Sequence, residues 1–165
     1  MCEVLFIPVK TENLSEAVCR SFEGDSQLHR YYDRSSGAST LEGYVQDTVR
    51  KCNEFAAVLP DTQAYVISYR QETAGFVVLN KGLGILYSFG VQPKSRRREV
   101  LSALFDFIKS QMPEFVAYLH GYNTRAVKWL QSCGMKVEKQ KGQTFVTLRY
   151  ASNSHSDSVD RRTNR

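Results

Sequence analysis

The densest positive charge in the chain stands between an apolar strand pattern and an apolar helix pattern. In the stretch VQPKSRRREVLSAL, residues 91–104, the basic residues Lys94, Arg96, Arg97 and Arg98 fill four of five consecutive positions. A helix that begins here presents unpaired backbone N–H groups and a partial positive charge at its first turn. Arginine adds planar donors that suit phosphate. The stretch therefore has the ingredients of a diphosphate-binding turn, and a solvated charged surface is the plain alternative.

Composition and charge limit the class of protein. The chain has 165 residues, about one domain, with 42% apolar and 24% charged residues. No apolar run approaches the roughly 20 residues that cross a bilayer, and the first residues do not read as a signal peptide, so we expect a cytoplasmic protein without membrane contact. Four scattered cysteines and three histidines give no zinc pattern, so no metal is expected. The formal charge of +5 permits a polyanionic partner without choosing one.

Hydrophobic periodicity predicts the element order β-α-α-β-β-β-α-β-α-β-β. The three central strands follow one another with short turns, QET and KGLG, which indicates an antiparallel meander. The polar stretch 151–165 is predicted to be a disordered tail, which leaves 1–150 as a single domain. The predicted strands cover residues 4–10, 63–70, 74–80, 85–91, 115–122, 135–140 and 143–150.

Capping patterns place the four helices between these strands. Two helices are predicted to begin at capping boxes, a third covers residues 96–110, and a fourth begins after an asparagine cap and ends at a glycine. The residues that mark these boundaries are Asn13-x-x-Glu16, Ser39-x-x-Glu42, Asn123 and Gly134.

The basic stretch and its surroundings resemble the GNAT-type N-acetyltransferases, over roughly residues 4–150. In that family a strand ending in V-x-P leads to an R-x-x-G-x-G/A loop that wraps the pyrophosphate of acetyl-CoA. Val91-x-Pro93 and Arg96 match this pattern, and the spacing to Leu104 matches as well. The resemblance therefore assigns the basic stretch to the pyrophosphate loop.

Two further motifs support the same resemblance. Asn123 and Ala126 match the N-x-x-A motif of the family, and Gly134 matches the glycine that closes the following helix. Gly75-Phe76 is similar to the glycine–phenylalanine pair of the family's third strand. These motifs stand at the separation that the family shows.

The sequence also departs from the family at three places. The two loop glycines correspond to Glu99 and Leu101. The tyrosine that often protonates the departing thiolate corresponds to Leu130. The strand at 85–91 carries no acidic residue, where the family often has a base.

The resemblance implies a mixed α/β (α+β) fold, with a mostly antiparallel central sheet of about six or seven strands flanked by about four helices. It implies direct transfer of an acetyl group from acetyl-CoA, the co-substrate, to a primary amine of a protein, a peptide or a small molecule. A backbone N–H near the end of the fourth strand would polarise the thioester carbonyl. The cofactor-binding residues implied are Phe89, Val91, Arg96, Arg97, Arg98, Glu99, Val100, Asn123 and Ala126.

Three residues are candidates for the catalytic proton transfers. Tyr87 is a candidate general acid or substrate contact, and packing is its alternative role. His120 and Tyr122 stand at the end of the fifth strand, and either is a candidate base. Substrate contacts are also expected from the linker between the first two helices, at His29, Tyr31 and Tyr32.

Two other functions remain open from the sequence. The first is a catalytically degenerate GNAT-like protein with a binding or structural role, for example a phage virion component, to which the pair Trp129-Leu130 is similar. The second is a nucleic-acid-binding protein that uses residues 94–98, although no reading module accompanies them. The partner expected for the enzyme is the amine acceptor, with a homodimer as one option for its assembly.

Overall fold

The computed structural model describes residues 3–27, 39–121, 123–141 and 145–151. Within these ranges it contains seven strands and four α-helices in the predicted order. The strand pairs are antiparallel within each of the two compact units into which the chain divides, Met1–Gln111 and Met112–Arg165. The mixed, mostly antiparallel α/β fold class is therefore confirmed.

The first unit contains a four-stranded antiparallel meander in the order β1-β2-β3-β4. Its strands are β1 (Val4–Val9), β2 (Thr62–Tyr69), β3 (Glu72–Asn80) and β4 (Ile85–Val91). Strand β3 is buried from Ala74 to Asn80, which explains its continuous apolar run, because both of its faces are covered. Strand β1 carries Pro8, and an edge strand can accept a proline because the missing N–H need not join a ladder.

Helices cover both faces of this meander. Helices α1 (Ser15–Phe22) and α2 (Leu41–Val58) pack on one face and share a core cluster with β2 and β3. Helix α3 (Arg98–Gln111) covers the other face, where the Phe107 ring stacks on Phe6 at a centroid distance of 4.1 Å. The cluster consists of Leu14, Ala17, Val18, Val45, Val49, Cys52, Ala64, Phe76 and Val78.

The second unit contains three strands and one helix. Strands β5 (Phe115–His120) and β6 (Lys136–Lys141) pair with opposite edges of β7 (Phe145–Tyr150), and both pairings are antiparallel. Helix α4 (Thr124–Ser132) follows β5. It ends as predicted at Gly134, whose φ of 102° lies in the left-handed region that glycine adopts without strain.

The predicted starts of three helices are wrong by one or two residues. Asn13 lies in a short 3-10 turn and does not cap α1, which begins at Ser15. Thr40 caps α2 instead of Ser39, because its Oγ1 accepts a hydrogen bond from the Gly43 N–H at 3.0 Å. Helix α3 begins later than residue 96, because Pro93–Ser95 form a separate 3-10 turn.

The turn between β2 and β3 is also tighter than predicted. It uses two residues, Arg70 and Gln71, and both have positive φ angles, 53° and 66°. Positive φ at both central residues is the geometry of a type I′ hairpin turn, which matches the twist of the strands. The sequence RQ does not signal this turn, because asparagine and glycine are the usual residues there.

Most of the predicted tail, residues 152–165, lies outside the described part of the chain. The expectation of a single domain over 1–150 stays a prediction. No helix in the described ranges is both long enough and apolar enough to cross a membrane.

Gly75 permits the close approach of β3 and β4. A Cβ atom at this position would lie 2.1 Å from the Gly90 carbonyl oxygen, which is backbone and cannot rotate away. We expect Gly75→Ala to lower the free energy of unfolding by about 2 kcal/mol in a urea titration. Gly24→Ala is the control, because a Cβ there meets no atom of the described residues within 4 Å and its φ of 78° is unfavourable by about 1 kcal/mol. Equal losses in the two variants would contradict the steric explanation.

Candidate functional site

The connection from β4 to α3 is fixed by its own hydrogen bonds. The β3–β4 ladder continues past Val91, because the Gln92 N–H donates to the Ala74 carbonyl at 2.7 Å. The buried Gln92 side chain then donates from Nε2 to Ser95 Oγ at 3.0 Å, within the 3-10 turn. The strand therefore enters the helix through a short turn of defined shape.

The start of α3 offers backbone donors next to this turn. The first backbone hydrogen bond of the helix runs from the Leu101 N–H to the Arg97 carbonyl at 2.9 Å. The N–H groups of the first turn of α3 therefore precede the helical ladder. The aligned peptide dipoles of the 14-residue helix add partial positive charge at the same place. A strand that leads into such a helix start is a suitable anion site.

Arg96 occupies a structural position beside this site. Its Nη2 donates to Asp25 Oδ2 at 2.8 Å and to the Ser21 carbonyl at 3.3 Å, and its Nε donates to the Val91 carbonyl at 2.7 Å. The Asp25 side chain is 2% exposed and that of Arg96 is 21% exposed, so the ion pair is largely buried. These bonds tie the end of α1 to the end of β4, while the predicted contact of Arg96 with a cofactor stays a prediction.

The other basic residues of the stretch differ in the ion pairs and hydrogen bonds that they form. Lys94 forms an exposed ion pair with Glu72 at 3.5 Å. Arg97 and Arg98 are exposed and line a shallow depression with Glu99 and Ser102. Among the described residues, no hydrogen bond or ion pair engages either guanidinium group. Two of the four basic residues are thus available to an anion at the start of α3.

Glu99 and Val100 complete the first turn of α3. The Tyr69 hydroxyl, at the end of β2, donates a hydrogen bond to Glu99 Oε1. Val100 is fully buried, so its side chain belongs to the core and only its backbone could meet a ligand. Of these two predicted cofactor-binding residues, Glu99 is thus an exposed acid and Val100 is a core residue.

Tyr87 lies in a β-bulge of β4. Val78 pairs with Ser88 and Leu79 pairs with Leu86, so Tyr87 has no partner of its own in β3. Its ring stacks on the Phe55 ring of α2, and the two ring centroids lie 3.8 Å apart. Because of the extra residue, both Tyr87 and Ser88 reach α2.

The Tyr87 side chain is half-buried. It donates to the Lys51 carbonyl at 3.4 Å, a long hydrogen bond. Burial, as the largest cause, raises the pKa of the phenol above its ordinary value. The hydroxyl therefore keeps its proton at neutral pH, which is the state that a general acid needs.

Cys52 lies on α2 and is fully buried. Its thiol forms a side-chain hydrogen bond with Ser88, and burial raises the pKa of the thiol to about 12. The folded protein therefore binds the thiol proton more tightly than the unfolded chain does. This contribution to the free energy of unfolding is fully present below the ordinary pKa of 9.0 and is lost as the pH rises toward 12. We expect wild type to lose about 1.4 kcal/mol per pH unit relative to Cys52→Ala in this window, measured by urea unfolding.

The control for this pH series is Val49→Ala on the same helix. It also removes buried volume from the core cluster, but it removes no titrating group. Its difference from wild type should therefore be independent of pH. A constant difference between wild type and Cys52→Ala from pH 8 to pH 11 would contradict the assignment.

The remaining predicted site residues lie in the second unit. His120 ends β5, and its ring lies 4.7 Å from that of Phe145. Asn123 caps α4 as predicted, because its Oδ1 accepts from the Ala126 N–H at 3.4 Å. Tyr122 lies outside the described residues, as do His29, Tyr31 and Tyr32 of the linker.

Two site-forming residues are not evident from the sequence, Asp25 and Tyr69. Their partners are 71 and 30 positions away along the chain, respectively. Neither residue belongs to a motif, and Asp25 reads only as a helix-ending residue. Only the packing of β2, α1 and α3 brings them to the β4–α3 connection.

The elements and their order define the fold of the GNAT acetyltransferases. The chain is similar to an acetyltransferase from Thermus thermophilus, with a TM-score of 0.63, 21% identity, and 89% of this chain and 96% of that chain covered. It is also similar to a probable GNAT-family acetyltransferase from Chromobacterium violaceum, with a TM-score of 0.63, 14% identity, and 93% and 90% covered.

A third solved structure with this fold holds a ligand. It is the microcin C7 self-immunity acetyltransferase MccE, in complex with acetyl-CoA and AMP, with a TM-score of 0.59, 10% identity, and 91% and 93% of the two chains covered. No protein-family model matches the sequence, and no curated protein matches it. At these identities the likeness establishes the shared fold.

Proposed function

We propose that the protein is an N-acetyltransferase that uses acetyl-CoA to acetylate a primary amine. The observation that carries the proposal is the pair Arg97 and Arg98 at the start of α3, whose guanidinium groups no described residue engages. The first turn of α3 follows β4 in the position that the resemblance assigns to the pyrophosphate loop. The fold shared with acetyltransferases, and the acetyl-CoA in the MccE complex, support the same function.

The donor set at this turn fits a diphosphate. Arg97 and Arg98 offer planar guanidinium groups at the edge of one depression, and the backbone N–H groups at the start of α3 lie beside them. Glu99 is compatible with an anion because its carboxylate is bonded to β2 through Tyr69. The loop thus replaces the close backbone approach that glycines allow with two cationic side chains.

Strand β4 is the proposed source of a further backbone donor for the acyl group. The Gln92 N–H points toward β3, where it meets the Ala74 carbonyl. Because N–H groups alternate in direction along a strand, those of Val91 and Phe89 point away from β3. We propose that a backbone N–H group at the end of β4, near Phe89 to Val91, polarises the carbonyl, and this role stays a prediction.

The bound cofactor would supply an activated thioester carbonyl, and the protein supplies position and proton transfer. The amine must be neutral to attack, so a base or a water chain removes its proton, and His120 and Tyr122 are the proposed bases. Tyr87 is protonated at neutral pH and is the proposed acid for the departing thiolate. No side chain has to form a covalent intermediate.

A second function is favoured by one observation. Leu130 corresponds to the family's acid tyrosine, and it is fully buried in α4, so no hydroxyl and no exposed side chain replaces it there. A catalytically degenerate protein with this fold, which serves as a binding or structural component, is therefore the alternative. The nucleic-acid function is weaker, because Lys94 and Arg96 are paired with acids.

Calorimetry with the full chain tests the proposal. We expect acetyl-CoA to bind and to raise the melting temperature, as a ligand specific for the folded state must. Release of the CoA thiol on addition of a panel of primary amines then separates the enzyme from the alternative. Binding without thiol release supports the non-catalytic component, and no heat of binding at millimolar acetyl-CoA rejects the enzyme.

A further inference from the structure

A tyrosine of β2 holds the acidic residue that stands in the first turn of α3. Tyr69 is the last residue of β2 and is 6% exposed, whereas Glu99 is the second residue of α3 and is exposed. The Tyr69 hydroxyl donates to Glu99 Oε1 across 30 positions of sequence. This hydrogen bond joins the tip of the β2–β3 hairpin to the start of the helix.

Without such a partner, Glu99 would oppose an anion at this place. A carboxylate in the first turn of a helix is attracted to the same N–H groups and partial positive charge that attract a phosphate. It also neutralises neighbouring guanidinium groups, here those of Arg97 and Arg98, which line the same depression. The position of the Glu99 carboxylate therefore affects how much positive charge a ligand meets.

Contacts at the β2–β3 turn hold the Tyr69 ring in position. The guanidinium carbon of Arg70 lies 5.1 Å from the centroid of the Tyr69 ring, in a cation–π arrangement. This contact depends on the tight turn in which Arg70 and Gln71 adopt positive φ angles. Glu72 adds the exposed ion pair to Lys94 on the other side of the turn. The Tyr69 ring is thus held by its position in β2 and by the Arg70 guanidinium group of the turn.

We propose that Tyr69 is a positioning residue that sets the affinity of the α3 start for a diphosphate, by holding the Glu99 carboxylate on β2. The proposal rests on the proposed function, because it deepens the role of the same anion site. The ligand chemistry is a diphosphate ester, as in CoA, or free pyrophosphate. Tyr69 does not touch the ligand and acts only through Glu99.

The test is a double-mutant cycle of Tyr69→Phe and Glu99→Gln, read by calorimetric titration of the full chain. Phenylalanine keeps the ring and the Arg70 contact and removes only the hydroxyl. We expect Tyr69→Phe to weaken CoA binding about fivefold, because the carboxylate is released toward Arg97, Arg98 and the helix start. In the Glu99→Gln background the same change should have no effect, since no negative charge remains to be released.

A merely structural role of Tyr69 would give a different pattern. In that case Tyr69→Phe would weaken CoA binding equally with and without Glu99→Gln, and this result would overturn the proposal. An unchanged affinity of Tyr69→Phe in the native background would overturn it as well. The single variant Glu99→Gln changes an exposed residue, so its CoA affinity can be measured even if Tyr69→Phe is unstable. A CoA affinity of Glu99→Gln below that of wild type would contradict the proposal.

A second titration with inorganic pyrophosphate distinguishes this proposal from the proposed function. Binding of CoA without the double-mutant pattern leaves the acetyltransferase in place and rejects the role of Tyr69. Binding of pyrophosphate with the pattern, but no binding of CoA, supports Tyr69 and rejects the acetyltransferase. Binding of neither ligand rejects both.

Discussion

We expect the replacement of both Arg97 and Arg98 by alanine to weaken the binding of CoA about 100-fold, or about 2.7 kcal/mol, and to leave the fold intact. The reason is that these two guanidinium groups are the basic side chains of the stretch that no acid engages in the described part of the chain. Each would form a charge-assisted hydrogen bond to a phosphate oxygen, the stronger class of such bonds. Isothermal titration calorimetry with CoA measures the loss.

The control for this variant changes the net charge by the same amount elsewhere. Lys10→Ala with Arg20→Ala removes two exposed basic residues of the same unit, outside the β4–α3 connection. We expect it to change CoA affinity less than threefold, through long-range attraction that salt screens. An equal loss in the two double variants would show that general charge, and not the start of α3, attracts the ligand.

Asp25→Ala lowers the free energy of unfolding by about 3 kcal/mol, because it leaves the Arg96 guanidinium largely buried without its countercharge. The change also removes the acceptor of the Gln27 N–H, which donates to Asp25 Oδ1 at 3.0 Å. Urea unfolding followed by circular dichroism measures the loss. Glu23→Ala, at an exposed acid two positions upstream, should change stability by less than about 0.5 kcal/mol.

The double variant Asp25→Ala with Arg96→Met separates the charge from the packing. Replacing both partners of a buried ion pair by apolar groups is often tolerated, whereas removing one partner is costly. We therefore expect the double variant to recover more than half of the stability that Asp25→Ala loses. A loss in the double variant as large as the sum of the single losses would contradict a direct interaction between the two side chains.

The sequence predicts the order of the elements well, because periodicity is a local property. The seven strands and four helices were expected at their places, and the Asn123 cap and the Gly134 stop were expected from residue type alone. The helix start at Ser15 and the cap at Thr40 were missed, because a polar residue one or two positions away is an equally suitable cap by residue type. The choice between such caps depends on the backbone path by which the chain enters the helix.

The site was only partly predictable, because its decisive contacts join distant parts of the chain. The basic stretch is plain in the sequence, but nothing local shows that Asp25 engages Arg96 while Arg97 and Arg98 remain exposed. The hydrogen bond of Tyr69 to Glu99 is equally hidden, since neither residue is unusual for its element. The bulge at Tyr87 depends on strand register, which alternation of apolar residues does not reveal.

The proline in strand β1 has a consequence for how molecules of this protein meet one another. Leu5 and Ile7 are 48% and 46% exposed on this six-residue strand, and an apolar outer strand of that kind invites sheet-to-sheet aggregation. Pro8 follows Ile7 directly and supplies no N–H for a foreign strand to bind. The outer edge of β1 therefore lacks one backbone donor, which limits extension of the sheet by a second copy of the chain.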